Sequence, residues 1–321
     1  MAAAARSSEA VSVLVGDPWV IERAARIVGV SRRRLLALDE PRSMRRDLER
    51  TRGAIGFFAP AARVAERDAR FGRPTPGAGR GQLAWIDQAA DLAASGAAVA
   101  LVTGPVSKHA IAASGGRARK FRGHTEHLAE RLGARDVVMA FWAEKLVISL
   151  VTTHLSLADV PRALTAAGVS SAIFFTADLV RRLGTRRPRI AVAGLNPHAG
   201  EQGLLGSEEV ATIAPGIARA QKRLFRARLA ATVEGPVGAE TAVRKAYAGR
   251  YDAVVAMYHD QATIPMKLVG FGDAVNVTLG LPIVRTSVDH GTGYDIAGKG
   301  KADARGMTAA IALAVRLAKR T

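Results

Sequence analysis

Ala253-Val-Val-Ala-Met-Tyr-His259-Asp260 is the stretch that decides how this chain is read. The apolar, partly β-branched run is short and ends at a histidine, the pattern of a buried strand that presents a polar side chain where it stops. Two other stretches repeat it: Leu146-Val-Ile-Ser-Leu-Val-Thr-Thr-His154 and Ile190-Ala-Val-Ala-Gly-Leu-Asn-Pro-His198. Strands apolar on both faces belong to a sheet covered by helices, so the chain reads as α/β. Open α/β sheets bind ligands beyond the carboxyl ends of their strands, and three histidines at three such ends predict one shared site. Neutral imidazoles ligate zinc and similar divalent ions, and three protein ligands leave a coordination position open for chemistry.

Outward from these strands, residues 11–15 read as a first strand, Gly16-Asp17-Pro18 as its turn, and a helix follows to about Val28. Residues 41–81, rich in Arg, Gly and Pro, read as short strands and loops. Helices are expected over 82–95 and 306–319, a strand over 97–103, and Gly104-Pro-Val-Ser-Lys108 opens a further helix. The alternation predicts a mainly parallel sheet with crossover helices. No internal repeat and no low-complexity linker interrupts it.

The chain has 321 residues and a formal charge of +18. Its basic residues do not form a nucleic-acid surface. Arg219, Lys222, Arg223 and Arg226 recur at helical spacing, and Arg32–Arg34 with Arg42, Arg45 and Arg46 are interleaved with acids, without an aromatic platform for bases. With no cysteine, disulfides and thiolate metal sites are excluded. No apolar stretch approaches the roughly 20 residues of a membrane span, and residues 1–10 lack the apolar centre of a signal peptide. A cytoplasmic enzyme is the expectation.

Longer motifs then narrow the class. Met257-Tyr-His-Asp-Gln261, Lys267-Leu-Val-Gly-Phe-Gly272, Val275-Asn-Val-Thr-Leu-Gly-Leu-Pro282 and Ile283-Val-Arg-Thr-Ser-Val-Asp-His-Gly-Thr292 occur in order, preceded by Gly123-His-Thr-Glu126, Thr152-Thr-His154 and Gly194-Leu-Asn-Pro-His-Ala-Gly200. Together, from about Gly72 to the end, they resemble the 4-hydroxythreonine-4-phosphate dehydrogenase family of pyridoxal phosphate biosynthesis. The chain departs from that family's pattern at Trp19-Val-Ile-Glu22, where a Gly-Ile-Gly-Pro-Glu run is usual, and at Glu240, where aspartate is usual.

The resemblance implies an isocitrate/isopropylmalate dehydrogenase-like fold with two α/β/α domains and an active-site cleft between them. Residues 1–120 and 280–321 would form the cofactor-binding domain, and 121–279 the metal, substrate and dimerisation domain. It implies a homodimer that shares its active site, NAD, and one divalent ion (Zn, Mg, Co or Mn) on His154, His198 and His259. Substrate contacts fall on His124, Thr125, Lys267, Asn276 and Arg285, where a phosphate needs cations and donors. Lys108 and Asp260 are the expected proton acceptors or relays. The loop His290-Gly-Thr-Gly-Tyr-Asp295-Ile-Ala-Gly298 resembles the adenosine-binding loop of β-decarboxylating dehydrogenases, with His290, Gly291, Asp295 and Gly298 as cofactor contacts. A carboxylate at Asp295 can accept from ribose hydroxyls and repel a 2′-phosphate, so NAD is expected over NADP. Other phosphorylated hydroxy acids (threonate or erythronate 4-phosphate), an aromatic cis-dihydrodiol, or a ligand-binding role without turnover are the alternatives.

Overall fold

The structure, a computed structural model, describes residues 1–6, 10–61, 63–270 and 272–319. Phe271 of the 267–272 motif and the last two positions of the expected cofactor-binding segment lie outside them. In chain order the strands are β1 (Val13–Val15), β2 (Leu35–Ala37), β3 (Ile55–Phe58), β4 (Leu101–Thr103), β5 (Val138–Ala143), β6 (Leu146–Leu150), β7 (Arg189–Ala193), β8 (Thr232–Val237), β9 (Ala253–Ala256), β10 (Val275–Leu279) and β11 (Arg285–Val288). The chain divides into two compact units, one of Met1–Ala134 with Pro282–Ala318, the other chiefly Arg135–Leu281. His124 and Thr125 therefore belong to the first unit, whereas the sequence boundaries put them with the metal-binding domain.

In the first unit β1, β3 and β2 form a parallel sheet, in that order, over a core of Leu38, Met44, Phe58 and Leu92. β4 runs parallel to β11, with Arg285 opposite Leu101 and Ser287 opposite Thr103. The stretch expected to hold short strands and loops contains the helix Met44–Arg50, and the long helix that follows begins at Pro76. Thr75 caps that helix by accepting from the Ala78 amide at 3.1 Å, and Pro76 supplies a first-turn residue that needs no amide. Asp17, fully buried ahead of the helix Pro18–Ile27, accepts from the Val64 amide at 3.2 Å. The Trp19 indole donates to the Val64 carbonyl at 3.1 Å, so the bulky residue in the family's glycine run is seated against that same segment.

The helix Pro76–Ala94 packs on the helix Lys108–Ala113 through Gly79. Ser107 caps the second helix through the Ala110 amide at 3.1 Å, and its own amide donates to Gln82 Oε1 at 2.9 Å. The start of the Lys108 helix is thus pinned from two directions. A Cβ at Gly79 would run into the Ala110 carbonyl. Although alanine is the better helix former by about 1 kcal/mol, Gly79→Ala is expected to destabilise the fold by about 1–3 kcal/mol through overpacking. The denaturation midpoint reads this directly, and an unchanged or raised midpoint would contradict it.

In the second unit the strand order is β10-β5-β6-β9-β7-β8. β6, β9, β7 and β8 are parallel, as the alternation predicts, while β10 to β5 and β5 to β6 are antiparallel, so this mainly parallel sheet is mixed. The reason is local: only Glu144 and Lys145 separate β5 from β6, too few for a crossover helix. Ile148, Leu150, Ala191, Ala193, Val254, Ala256 and Met266 form the buried core of this unit. Burial of each large aliphatic side chain stabilises by roughly 1.5–3 kcal/mol, which anchors the strands that carry the histidines.

Candidate active site

The registers Ile148↔Val254, Leu150↔Ala256, Ile190↔Ala253 and Val192↔Val255 bring the carboxyl ends of β6, β9 and β7 level. Beyond them the chain is tied across. Thr152 donates to the Met257 carbonyl through its amide at 3.1 Å and its hydroxyl at 2.7 Å. Gln261 accepts from the Met257 amide at 2.6 Å and donates to the Gly194 carbonyl at 2.8 Å, linking the ends of β9 and β7. These bonds satisfy backbone groups that the strands leave unpaired.

Their result is a pair of imidazoles: the rings of His154 and His259 lie 5.2 Å apart, centroid to centroid, tilted by 41°. His259 opens the helix His259–Gly270, and its Nδ1 lies 2.7 Å from Asp260 Oδ1. An ionised carboxylate can only accept, so Nδ1 carries the hydrogen and Nε2 keeps its lone pair, the tautomer that a metal ligand requires. Asp260 thereby orients His259.

His198 begins five consecutive residues in left-handed conformation, with φ of 53°, 54°, 79°, 46° and 58° from His198 to Gln202. Among the described residues no group of three or more His, Cys, Asp or Glu is placed to hold a metal ion. The chain thus brings together two of the three strand-end histidines. The donor chemistry of these two imidazoles fits a divalent cation. Lys267, exposed near the end of the His259 helix, and Asn276, half-buried on β10, lie in the same unit.

The first unit holds a second cluster. Arg285 on β11 is only 4% exposed, and its Nη2 donates to Thr103 Oγ1 on β4 at 2.7 Å. Burial lowers its pKa to about 10, with Glu126 acting in the other direction, so the guanidinium stays charged at neutral pH. His124 opens the helix His124–Arg131 beside Thr125. Its pKa is pulled down to about 3, first by burial, then by the positive charges of Arg285, His127 and Lys108. A Cβ on Gly123 would stand 2.9 Å from Glu126 Oε2 and 3.5 Å from Lys108 Nζ, so the ends of both side chains lie close to this stretch of backbone. His127 on the same helix bonds through Nε2 to Asp87 Oδ1 at 2.6 Å and lies against Phe121 at a 50° tilt, and the Phe121 ring also meets His124 edge-on. Buried positive charge beside a neutral imidazole favours an anion and disfavours another cation.

A group with so low a folded pKa makes stability depend on pH in one direction. Between about 6.5 and 3 the unfolded chain takes up a proton that folded His124 refuses, so the stability present above pH 6.5 is lost progressively as pH falls toward 3. Ring NMR signals of His124 are expected to stay in the neutral position from pH 8 down to at least 5. Titration of that ring near 6.5 would contradict the burial argument.

The 290–300 loop also rests within the first unit. Gly298 adopts φ +78° against the Phe71 ring, which also carries the Arg23 guanidinium 3.6 Å from its centroid. His290 Nδ1 is 2.9 Å from the Gly291 carbonyl, while Gly291 and Asp295 are exposed. Glu240, the departure from the family's aspartate, pairs instead with Arg244 at 2.7 Å and Thr241 at 2.9 Å on its own helix.

The α/β fold with mixed sheets and polar clusters at strand ends is related to the isocitrate/isopropylmalate dehydrogenase-like architecture. The chain belongs to the PdxA family: residues 8–314 match the family described as pyridoxal phosphate biosynthetic protein PdxA. It is 44% identical over 304 residues to the 4-hydroxythreonine-4-phosphate dehydrogenase of Desulfosudis oleivorans, covering 94% of this chain and 86% of that protein. It is 43% identical over 240 residues to the D-threonate 4-phosphate dehydrogenase of Salmonella typhimurium, covering 74% and 71%. The crystal structure of 4-hydroxythreonine-4-phosphate dehydrogenase from Klebsiella pneumoniae superposes with a TM-score of 0.82 at 37% identity, covering 98% of this chain and 92% of that one. Among the described residues no helix is long and apolar enough to cross a membrane.

Sequence reasoning passed over four residues that shape these clusters: Thr103, Gln82, Asp87 and Glu209. Each acts through a hydrogen bond to a residue at least 13 positions away, a relation that no local pattern encodes.

Proposed function

We propose that the chain is an NAD- and divalent-metal-dependent dehydrogenase of 4-hydroxythreonine 4-phosphate. The product would be the 2-amino-3-oxo acid phosphate, which loses carbon dioxide to give 3-amino-2-oxopropyl phosphate. The 44% identity, across 94% of the chain, to a protein named for that activity carries this assignment. The two clusters support it. Arg285 supplies cationic charge for a phosphorylated ligand, and Thr125, Asn276 and Lys267 supply further donors. His124, neutral at working pH, serves as a hydrogen-bonding partner and is too weak a base to take the proton. Lys108 or Asp260 would then accept the hydroxyl proton. His154, His198 and His259 would hold the cation, with Asp260 fixing the His259 tautomer. When bound, the cation supplies Lewis-acid polarisation of the reacting oxygen and NAD supplies the hydride acceptor. In the 290–300 loop, Asp295 would select NAD over NADP through the ribose hydroxyls.

The homodimer belongs to this proposal. Large apolar side chains are exposed on the segments that follow the histidine strands: Leu155 and Leu157 after β6, Leu204 and Leu205 after β7, and Ile264 and Leu268 after β9, with Leu204 at 82% and Leu268 at 85%. Exposed apolar surface of this kind marks a protein interface. A partner chain would also supply the third donor, because His154 and His259 already face each other within one chain. Mixed His198→Ala and His259→Ala subunits would then regain activity, since each heterodimer contains one intact set.

D-threonate 4-phosphate is the second reading, favoured by the 43% identical Salmonella relative. NADH formation should be measured with both phosphorylated substrates and their unphosphorylated forms, with and without added metal. Fastest turnover of 4-hydroxythreonine 4-phosphate supports the first reading, and fastest turnover of threonate phosphate the second. No NADH from either overturns both.

A further inference from the structure

Five successive left-handed residues are costly. Four of them, His198, Ala199, Glu201 and Gln202, carry side chains, and the left-handed conformation costs such residues roughly 1–2 kcal/mol each. A turn of this kind persists only where surrounding groups over-determine it. Glu209 is one such group. Its side chain is 2% exposed, at the start of the π-helical turn Glu209–Ile213. Oε1 accepts from the amides of Leu195 and Asn196, both at 2.8 Å, and Oε2 accepts from Asn196 Nδ2 at 2.9 Å. A Cβ at Gly194 would lie 3.1 Å from Oε1 and one at Gly200 2.6 Å from Oε2, so Gly194, ahead of the turn, and Gly200, its third residue, both lie close against the carboxylate. Burial by itself would raise the pKa of Glu209, but the bonds from Asn196 and Leu195 outweigh it and hold the group ionised.

We propose that Glu209 is the positioning residue for His198, tying down the residues that lead into the left-handed turn and packing against Gly200 within it, so that its imidazole is presented as a metal donor in one fixed place. This rests on the metal reading given above and adds to it a residue that touches neither metal nor substrate. The carboxylate satisfies three donors at once. Glu209→Gln keeps the volume and one acceptor oxygen but turns the other into a donor facing the Asn196 amide nitrogen.

Titration of the metal-stripped full-length enzyme with Co²⁺, followed by calorimetry and by the visible absorption of the bound ion, tests this. Wild type, His198→Ala and Glu209→Gln are compared, with thermal denaturation of each apo-protein. Glu209→Gln is expected to weaken Co²⁺ binding about 10–100-fold and to change the absorption band, the scale on which lost outer-shell support acts. Its kcat should fall while the KM for NAD holds, and its apo-protein should melt within a few degrees of wild type. Equal Co²⁺ binding by wild type and His198→Ala would overturn the metal reading, and this inference with it. Weak binding by His198→Ala with wild-type binding and absorption in Glu209→Gln would overturn the inference alone. Should Glu209→Gln fail to fold, Gly200→Ala presses on the same carboxylate from the other side and must show the same defect. Wild-type Co²⁺ binding there would overturn the proposal.

Discussion

Replacing His259 with alanine is expected to lower kcat on the order of 10³-fold while the protein still folds. The ring is half-exposed beyond the end of β9 and contributes little to the core, so its loss removes chemistry more than packing. A bound cation supplies several kcal/mol of charge stabilisation at the reacting oxygen, and at about 1.4 kcal/mol per tenfold that corresponds to roughly three orders of magnitude. His154→Ala should do the same, since its ring shares the cluster at 5.2 Å. The double variant should be little worse than either single one, because removing one member already disables a unit that acts together. Additive losses in the double variant, or full activity after rigorous metal removal, would show that the two histidines do not act through a common ion. Asp260→Asn should fall between these and wild type. It keeps a hydrogen bond to Nδ1 but loses the negative charge that holds the tautomer.

The second large effect is expected at Arg285. Arg285→Lys keeps the positive charge but replaces a planar fork, held by Thr103, with a flexible point charge. Loss of a charge-assisted pair in a buried site costs about 2–5 kcal/mol, so kcat/KM for the phosphorylated substrate should fall by roughly 10²-fold or more. The unphosphorylated substrate should lose little. An equal loss for both would mean that Arg285 serves the fold or another part of the ligand. A second consequence follows in His124. Arg285 is the largest charge holding its imidazole neutral, after burial, so Arg285→Leu should let the His124 pKa rise from about 3 toward its ordinary value. Chemical shifts of the ring would record that change independently of turnover.

Much of this was legible in the sequence because it is local. The runs before His154, His198 and His259 announce buried strands through composition and length. Gly104-Pro-Val-Ser-Lys108 marks a helix start, and in the structure Ser107 caps that helix. The dense motifs of the last third are equally local, and the family match spans nearly the whole chain. Tertiary structure decided what depends on partners distant in sequence. Strand pairing made the second unit's sheet mixed, since direction is set by which neighbour completes the ladder and not by the strand's own residues. Of three histidines in similar sequence settings two became a ring pair, because the bonds from Thr152 to Met257 draw their chain ends together, while His198 opens a left-handed turn. A buried Glu209 cannot be told from an exposed glutamate by pattern, as its meaning comes from amides 13 and 14 positions earlier. Side-chain periodicity reports which face a residue turns inward; only packing decides what that residue meets there.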